Sequence, residues 1–268
     1  MSISLQNIVA GYDDFQLKTV STEISEGSFT ALIGPNGCGK STLFKAISGQ
    51  LKPREGTIAI GGSDIASMRT RAVAKRISVL PQHPVVPPGV RVEQLVGYGR
   101  APYQNMLGIQ TSKDQDIIQA ALETVSMIDR RHQLVSDLSG GQRQRVFIAM
   151  CLAQDTPYVL FDEPTSFLDI RHQYEVLDLM AKLNDDGKTI VAVLHDIAQA
   201  ARYASGLIVM NNGGIHTAGA PSDIVEHSMI HDVYGIRTLI YPDPVTGTAS
   251  VSPLNTCSNS QETLSEMV

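Results

Sequence analysis

Apolar and polar positions along the chain switch between two periods, and the switches mark its organisation. Short apolar runs with strand character cover Ser4 to Val9 and Phe15 to Val20, either side of the turn Gly11-Tyr12-Asp13-Asp14. Ser28 to Ile33 is nearly all apolar, as expected of a buried strand, and is followed by a helical stretch, Leu43 to Ser48, that stops at Gly49. Glu55-Gly56 turns into a strand over Thr57 to Ile60 that ends at Gly61-Gly62. Ser67 is placed to cap a helix running to Lys75, and Ile77 to Leu80 reads as the next strand. Pro81, Pro84, Pro87, Pro88 and Gly89 then form a stiff connector.

From Val90 to Thr156 only helical periodicity is found. One helix spans Val92 to about Arg100. A second opens on Ser112, with Gln115 placed to complete a capping box, and carries Ile117, Ile118, Ala121, Leu122 and Val125 at helical spacing. A third runs from Gly141 to Ala153 and contains the longest apolar run, Val146 to Ala153. Strand and helix alternate again afterwards. Val159 to Phe161 and Thr189 to Leu194 are strands, and Ile170 to Leu183 and Ile197 to Tyr203 are helices. Gly206 to Met210 and Gly214 to Ala218 form a hairpin around Asn211-Asn212-Gly213. The rest reads as a little helix and then, from Asn255, a polar, mobile tail. The pattern predicts an α/β fold with a mostly parallel sheet, an N-terminal antiparallel β-subdomain and an inserted helical subdomain. A single domain is expected over 1–254, divided into a core of 1–89 and 157–254 and an insertion of 90–156, with the tail at 255–268.

Composition narrows the function classes. The net charge of −6 argues against a nucleic-acid binder relying on a general basic surface. The three cysteines, Cys38, Cys151 and Cys257, form no C-x-x-C pair, which disfavours a disulfide framework or zinc site and fits a reducing compartment. Met1-Ser2-Ile3-Ser4 does not read as a signal peptide, and no apolar run approaches the roughly 18 residues of a membrane span.

The chemistry centres on Gly34-Pro35-Asn36-Gly37-Cys38-Gly39-Lys40-Ser41-Thr42, which matches the phosphate-binding pattern G-x-x-x-x-G-K-[ST] with a strand before it and a helix after it. Glycines let the backbone turn its N–H groups onto phosphate oxygens, Lys40 adds a positive charge for the β- and γ-phosphates, and Ser41 offers a hydroxyl to Mg²⁺. Cys38 is either a small tolerated residue or a thiol that the nucleotide shields. Val159-Leu160-Phe161-Asp162-Glu163 is an apolar strand ending in two acids. Asp162 is placed to help hold Mg²⁺ and Glu163 to act as general base for the attacking water. His195 ends the next strand, at the edge where ligands bind in open α/β sheets, and is expected to contact the γ-phosphate or the water. Leu138-Ser139-Gly140-Gly141-Gln142 opens the last helix of the insertion. Ser139 can cap that helix, whose N-terminus is either a plain cap or a second anion site.

These motifs in this order resemble an ATP-binding-cassette (ABC) ATPase over nearly the whole chain, about Ser4 to Pro253. The resemblance implies an ATP- and Mg²⁺-dependent ATPase with a phosphate-loop NTPase core. It also implies a head-to-tail dimer of two copies, each ATP held between one phosphate loop and the other copy's Ser139, Gly140, Gly141 and Gln142. By the same resemblance Tyr12 stacks on adenine, and Gln82 contacts Mg²⁺ or water and senses a membrane partner. Ser166-Phe167-Leu168-Asp169 crosses the dimer interface, with Phe167 where the family often has a small residue. Val92 to Tyr103, with its Gly99-Arg100-Ala101-Pro102 core, resembles importers of iron–siderophore complexes, haem and cobalamin, as do Leu194-His195-Asp196, Ala200 to Ala204 and Tyr241 to Thr248. That group implies two integral-membrane permease subunits, an extracytoplasmic substrate-binding protein and a place on the cytoplasmic face of the membrane. The permeases are expected to meet the surface from Gln82 to Tyr103, with Arg100 as a coupling residue. Ferric siderophore is the expected cargo; a haem or cobalamin importer, or a soluble cassette of the iron–sulfur assembly type, are the alternatives.

Overall fold

A computed structural model of the chain describes residues 2–105 and 108–254. Strand β1 (Ile3–Val9) lies between β2 (Val20–Ile24) and β4 (Glu55–Ile60), and β5 (Ser63–Asp64) extends this antiparallel sheet in the order β2-β1-β4-β5. The second sheet is built on β3 (Phe29–Ile33), β6 (Ile77–Leu80), β7 (Tyr158–Asp162), β8 (Thr189–Val193) and the hairpin β9 (Gly206–Asn211) and β10 (Gly214–Gly219). Its order is β10-β9-β3-β8-β7-β6, parallel except at β9/β10.

β3, β7 and β8 are buried at every position, which accounts for their unbroken apolar runs. Successive residues serve opposite faces. Val159, Phe161, Ile190 and Ala192 join one core with the helices, while Tyr158, Leu160, Val191 and Val193 join another beneath the antiparallel sheet and α1 (Lys40–Ile47). The short α2 (Thr70–Ala74) precedes β6.

Between β6 and β7 lie α3 (Val92–Gly97), α4 (Ser112–Thr124) and α5 (Gly140–Ala153), packed on one another, with no strand among the described residues. The sheet then continues through α6 (Ile170–Asp185), α7 (Ile197–Tyr203), α8 (Pro221–Ile224) and α9 (His227–Tyr234). A final hairpin pairs β11 (Thr238–Pro242) with β12 (Ala249–Pro253).

Four expectations need correction. Phe15 to Val20 is not a strand: Leu17 N donates to Ala10 O and Lys18 N to Gly213 O, so the stretch is pinned by single bonds to separate neighbours instead of a ladder. Ser67 does not cap α2. It ends a 3₁₀ turn capped by Asp64, and its hydroxyl donates to Asp64 O. The capping box of α4 begins one residue earlier than its spacing suggested. Thr111 N donates to Asp114 Oδ2, and Asp114 N donates to Thr111 Oγ1. The β11/β12 hairpin was missed. Its turn is tied by Asp243 Oδ1, which accepts from Val245 N, Thr246 N and Thr246 Oγ1. The expectation for the tail lies outside the described residues.

Candidate functional site

Four neighbouring parallel strands end at one cleft. In register, Leu80 faces Phe161, Asp162 faces Val193, and Val193 faces Leu32. The chain leaving β6 therefore carries Gln82, the end of β7 carries Asp162 and Glu163, the chain after β8 carries His195, and β3 feeds the phosphate loop. This is the carboxyl edge of an open sheet, where such folds bind ligands. The cleft, about 560 Å³, is lined by Tyr12, Phe15, the loop residues Asn36 to Thr42 apart from Cys38, and Gln82, Glu163 and His195.

The loop can take its shape only with glycine at two positions. Gly34 has φ 144°, and a Cβ there would meet Met210 O at 2.3 Å; Gly39 has φ 108° and would meet Leu17 Cδ2 at 2.7 Å. Lys40 is buried and donates from Nζ to Gly34 O (2.7 Å) and Pro35 O (3.0 Å), which holds its charge over the loop. Cys38 is also buried. Burial pushes its thiol pKa up against the pull of Lys40, which suits a small packing residue better than a reactive thiol.

Glu163 is the most engaged side chain in the cleft. Its Oε1 lies 2.9 Å from His195 Nε2, and its Oε2 accepts from Gln82 Nε2 (2.5 Å) and Ser166 Oγ (3.0 Å). Its backbone is left-handed, with φ 51°, a conformation that costs free energy in a non-glycine residue and re-aims the side chain away from the strand's own alternation. Burial works to raise its pKa, but the bonds from His195, Ser166 and Gln82 together outweigh it and leave the carboxyl below its ordinary value. The carboxylate form of Glu163 is thus favoured. Asp162 is buried, and its pKa is raised by that burial and then by the charge of Glu163.

Asp162 Oδ1 is buried with no hydrogen-bond partner among the described residues. A buried, unpartnered carboxylate oxygen is costly unless something is placed to use it. Ser41 and Gln82 line the cleft and Asp162 ends the strand beside it; their oxygens would suit Mg²⁺, an ion that takes few protein ligands and is otherwise bound by phosphate oxygens and water. No group of three or more His, Cys, Asp or Glu residues able to hold a metal occurs among the described residues.

Tyr12 is half-exposed at the mouth of the cleft, with Lys45 Nζ 5.8 Å from its ring centroid. Two further contributors were not read from the sequence. Phe15, three residues after Tyr12, forms the cleft wall beside Gly39, and Ser166, three residues after Glu163, holds Glu163.

Ser139, Gly140, Gly141 and Gln142 do not line this cleft. Ser139 caps α5: its hydroxyl accepts from Gln142 N (3.3 Å), and Gln142 Oε1 accepts from Ser139 N (3.1 Å). Ser139 and Gly140 are exposed, leaving a helix N-terminus facing outward. Gln144 Nε2 donates to Pro164 O, fastening this helix start next to Glu163.

Arg100 is not on a docking surface. It is 4% exposed, bonded to Asp114 Oδ1 (2.8 Å) and Ala153 O (2.8 Å), and stacked 4.0 Å from the Tyr103 centroid. Its neighbour Gly99 lies against α5, where a Cβ would meet Met150 O at 2.2 Å. The Gly99-Arg100 pair therefore locks helices together, and Arg100 is too buried to meet a permease directly, contrary to expectation. A larger hollow, about 810 Å³, lies beside it, with Val90, Glu93, Gly97, Gln110, Ile118 and Arg131 among its walls. No helix among the described residues is long and apolar enough to cross a membrane.

A family model described as "ABC transporter" matches residues 17–166. The ferric enterobactin transport ATP-binding protein FepC of Escherichia coli K12 is 42% identical over 251 residues, covering 93% of each chain. A solved inward-facing transporter described as metal-chelate type superposes with a TM-score of 0.83 at 25% identity, covering 95% of this chain and 98% of that one. A dimeric bacterial ABC transporter cassette superposes with a TM-score of 0.71 at 28% identity, covering 81% and 98%.

Proposed function

The chain belongs to the ABC transporter ATPase family, and from that premise we propose that it is the ATP-hydrolysing subunit of a metal-chelate importer, with ferric siderophore as cargo. The observation that carries the chemistry is the meeting of Gln82, Glu163 and His195 with the phosphate loop at one sheet edge. The similarity to FepC supports the cargo, and the similarity to a dimeric cassette supports two copies working together, which the proposal sets head to tail.

ATP enters with its phosphates on the loop from Gly34 to Thr42 and its base on Tyr12. Water attacks the γ-phosphorus in line, the bond to the β-phosphate oxygen of ADP breaks, and Glu163 takes the water's proton. His195 and Lys40 stabilise the charge that builds on the γ-phosphoryl oxygens, and Gln82 orients the water and reports to the permeases. Ser41, Gln82 and Asp162 would hold Mg²⁺, which would supply neutralisation of the phosphate charge. Ser139 to Gln142 of a second copy completes the site from the other side with its helix N-terminus. Two permease subunits anchor the pair on the cytoplasmic face of the membrane, and an extracytoplasmic binding protein delivers the chelate. The hollow near Val90 and Gly97 is the surface offered to the permeases.

Pull-down from detergent-solubilised membranes should recover polytopic subunits, and a deletion strain should lose uptake of labelled ferric siderophore. Recovery of the chain without any membrane protein, or normal uptake in the deletion strain, would overturn the importer reading.

A further inference from the structure

α6 begins where three functional segments meet, and His172 lies at that meeting point. A Cβ added to Gly141 would fall 2.3 Å from His172 Cδ2 and 2.9 Å from its Nε2. The imidazole thus fills the space over the second glycine of the α5 helix start. A Cβ on Gly140 would meet nothing within 4 Å. Glycine at Gly141 is therefore what lets the ring lie there, and the space at Gly140 is left to whatever approaches from outside.

The ring is held from its other side. His172 Nδ1 is 2.7 Å from Asp169 Oδ1, the same oxygen that accepts from His172 N (2.9 Å) and caps α6. Glu175 lies 4.0 Å from Nε2 and is itself paired with Arg145 of α5 and with Arg171. The next residue, Gln173, donates to Leu168 O (3.0 Å) and accepts from Gln199 Nε2 (2.9 Å) on α7, whose cap, Asp196, directly follows His195. Hydrogen bonds thus run from Asp196, the residue after His195, through Gln199 and Gln173 to Leu168, and from Asp169 to His172, whose ring packs on Gly141.

We propose that His172 is a positioning residue that sets the backbone of Gly140 and Gly141 for the ATP of a second copy. Through Asp169 it ties that outward half-site to the chain's own catalytic edge. This rests on the shared-site reading given under the proposed function. Histidine suits such a role because its flat ring is small enough to lie over Gly141 while one nitrogen bonds Asp169.

The test is ATP-driven dimerisation of the full chain in the Glu163→Gln background, followed by analytical ultracentrifugation, beside binding of a fluorescent ATP analogue to dilute monomer. Adding His172→Ala should raise the ATP concentration for half-dimerisation by roughly tenfold while monomer affinity moves by less than about twofold, the size of one lost hydrogen-bonded contact acting across the interface only. His172→Leu, which fills the space over Gly141 without a bond to Asp169, should give the same split and carries the test if His172→Ala does not fold. His172→Asn, which keeps a donor toward Asp169, should recover part of the loss. If the Glu163→Gln parent does not dimerise with ATP, the shared-site reading fails and takes this proposal with it. If the parent dimerises and neither second substitution shifts it, or if monomer affinity falls in step, the role of His172 alone is overturned.

Discussion

At the ends of β3, β8, β7 and β6, polar groups are left tense or unfinished, whereas the helices between β6 and β7 close their polar groups on one another. In the cleft, Asp162 Oδ1 has no partner among the described residues and Glu163 sits at φ 51°. Among the helices, Thr111 with Asp114 and Ser139 with Gln142 form reciprocal caps, and the buried Arg100–Asp114 pair is bonded again to Thr111 and Ala153. The first region resembles a socket whose free energy is completed by a ligand. The second resembles a rigid arm that carries a helix end to a distant address. Under the proposed shared site, rigidity there is useful because Ser139 would meet a nucleotide that its own chain does not hold.

Breaking each region should therefore fail differently. The largest effect belongs to Glu163→Gln, which should slow steady-state ATP hydrolysis by roughly 10²–10⁴-fold, the usual worth of a general base. ATP binding should persist, as measured by equilibrium titration; near-normal turnover would falsify the role of Glu163. Arg100→Ala should act on the arm instead, costing about 3–5 kcal/mol in denaturant unfolding because Asp114 is left buried and unpaired. Per folded molecule the ATPase rate should change little, and a selective loss of ferric siderophore uptake at full stability would return Arg100 to a coupling role.

A smaller effect should appear in acid. Asp114 is held at about 2, against an ordinary 3.8, chiefly by its bond from Thr111 N and then by Arg100. A carboxyl depressed on folding stabilises the native state above its unfolded pKa. That contribution, about 2 kcal/mol, should vanish as pH falls from about 4 to 2. Asp114→Asn should flatten this limb of the stability curve; an unchanged limb would mean other carboxyls dominate it.

The mildest substitution is Ser139→Ala. It removes one cap, worth about 1 kcal/mol of helix stability, and should lower hydrolysis without weakening ATP binding to an isolated monomer. Loss of monomer binding would show that the segment serves its own cleft, and the contrast between socket and arm would collapse.

How much of this was readable beforehand follows the same division. Strands buried on both faces announce themselves as apolar runs, so β3, β7 and β8 were placed within a residue. The phosphate loop, Glu163 and His195 follow from motif and strand position, because phosphate chemistry demands particular types at particular offsets, whereas Tyr12 and Gln82 follow only from the family resemblance. Contacts made through tertiary geometry were not readable. Leu17 looks like a strand residue, yet its N–H is spent on Ala10 alone. Arg100 looked like surface chemistry because its partner, Asp114, lies beyond the turns that fold it back. Thr111 and Ser112 are both good caps, and only the reach of Asp114 chose between them. Phe167 remains open to solvent at φ 63° with its ring beside His83.

The strand order also carries a consequence for synthesis on the ribosome. β3 pairs only with β8, which begins at Thr189, and β9, which begins at Gly206. At ordinary elongation rates the phosphate-loop strand thus emerges on the order of ten seconds before either neighbour exists. During that interval an apolar strand stands with both edges unpaired, a species prone to aggregation. The nascent chain is in greatest need of a chaperone across the helical stretch, and a stall between Val90 and Thr156 should yield insoluble fragments, not a working half.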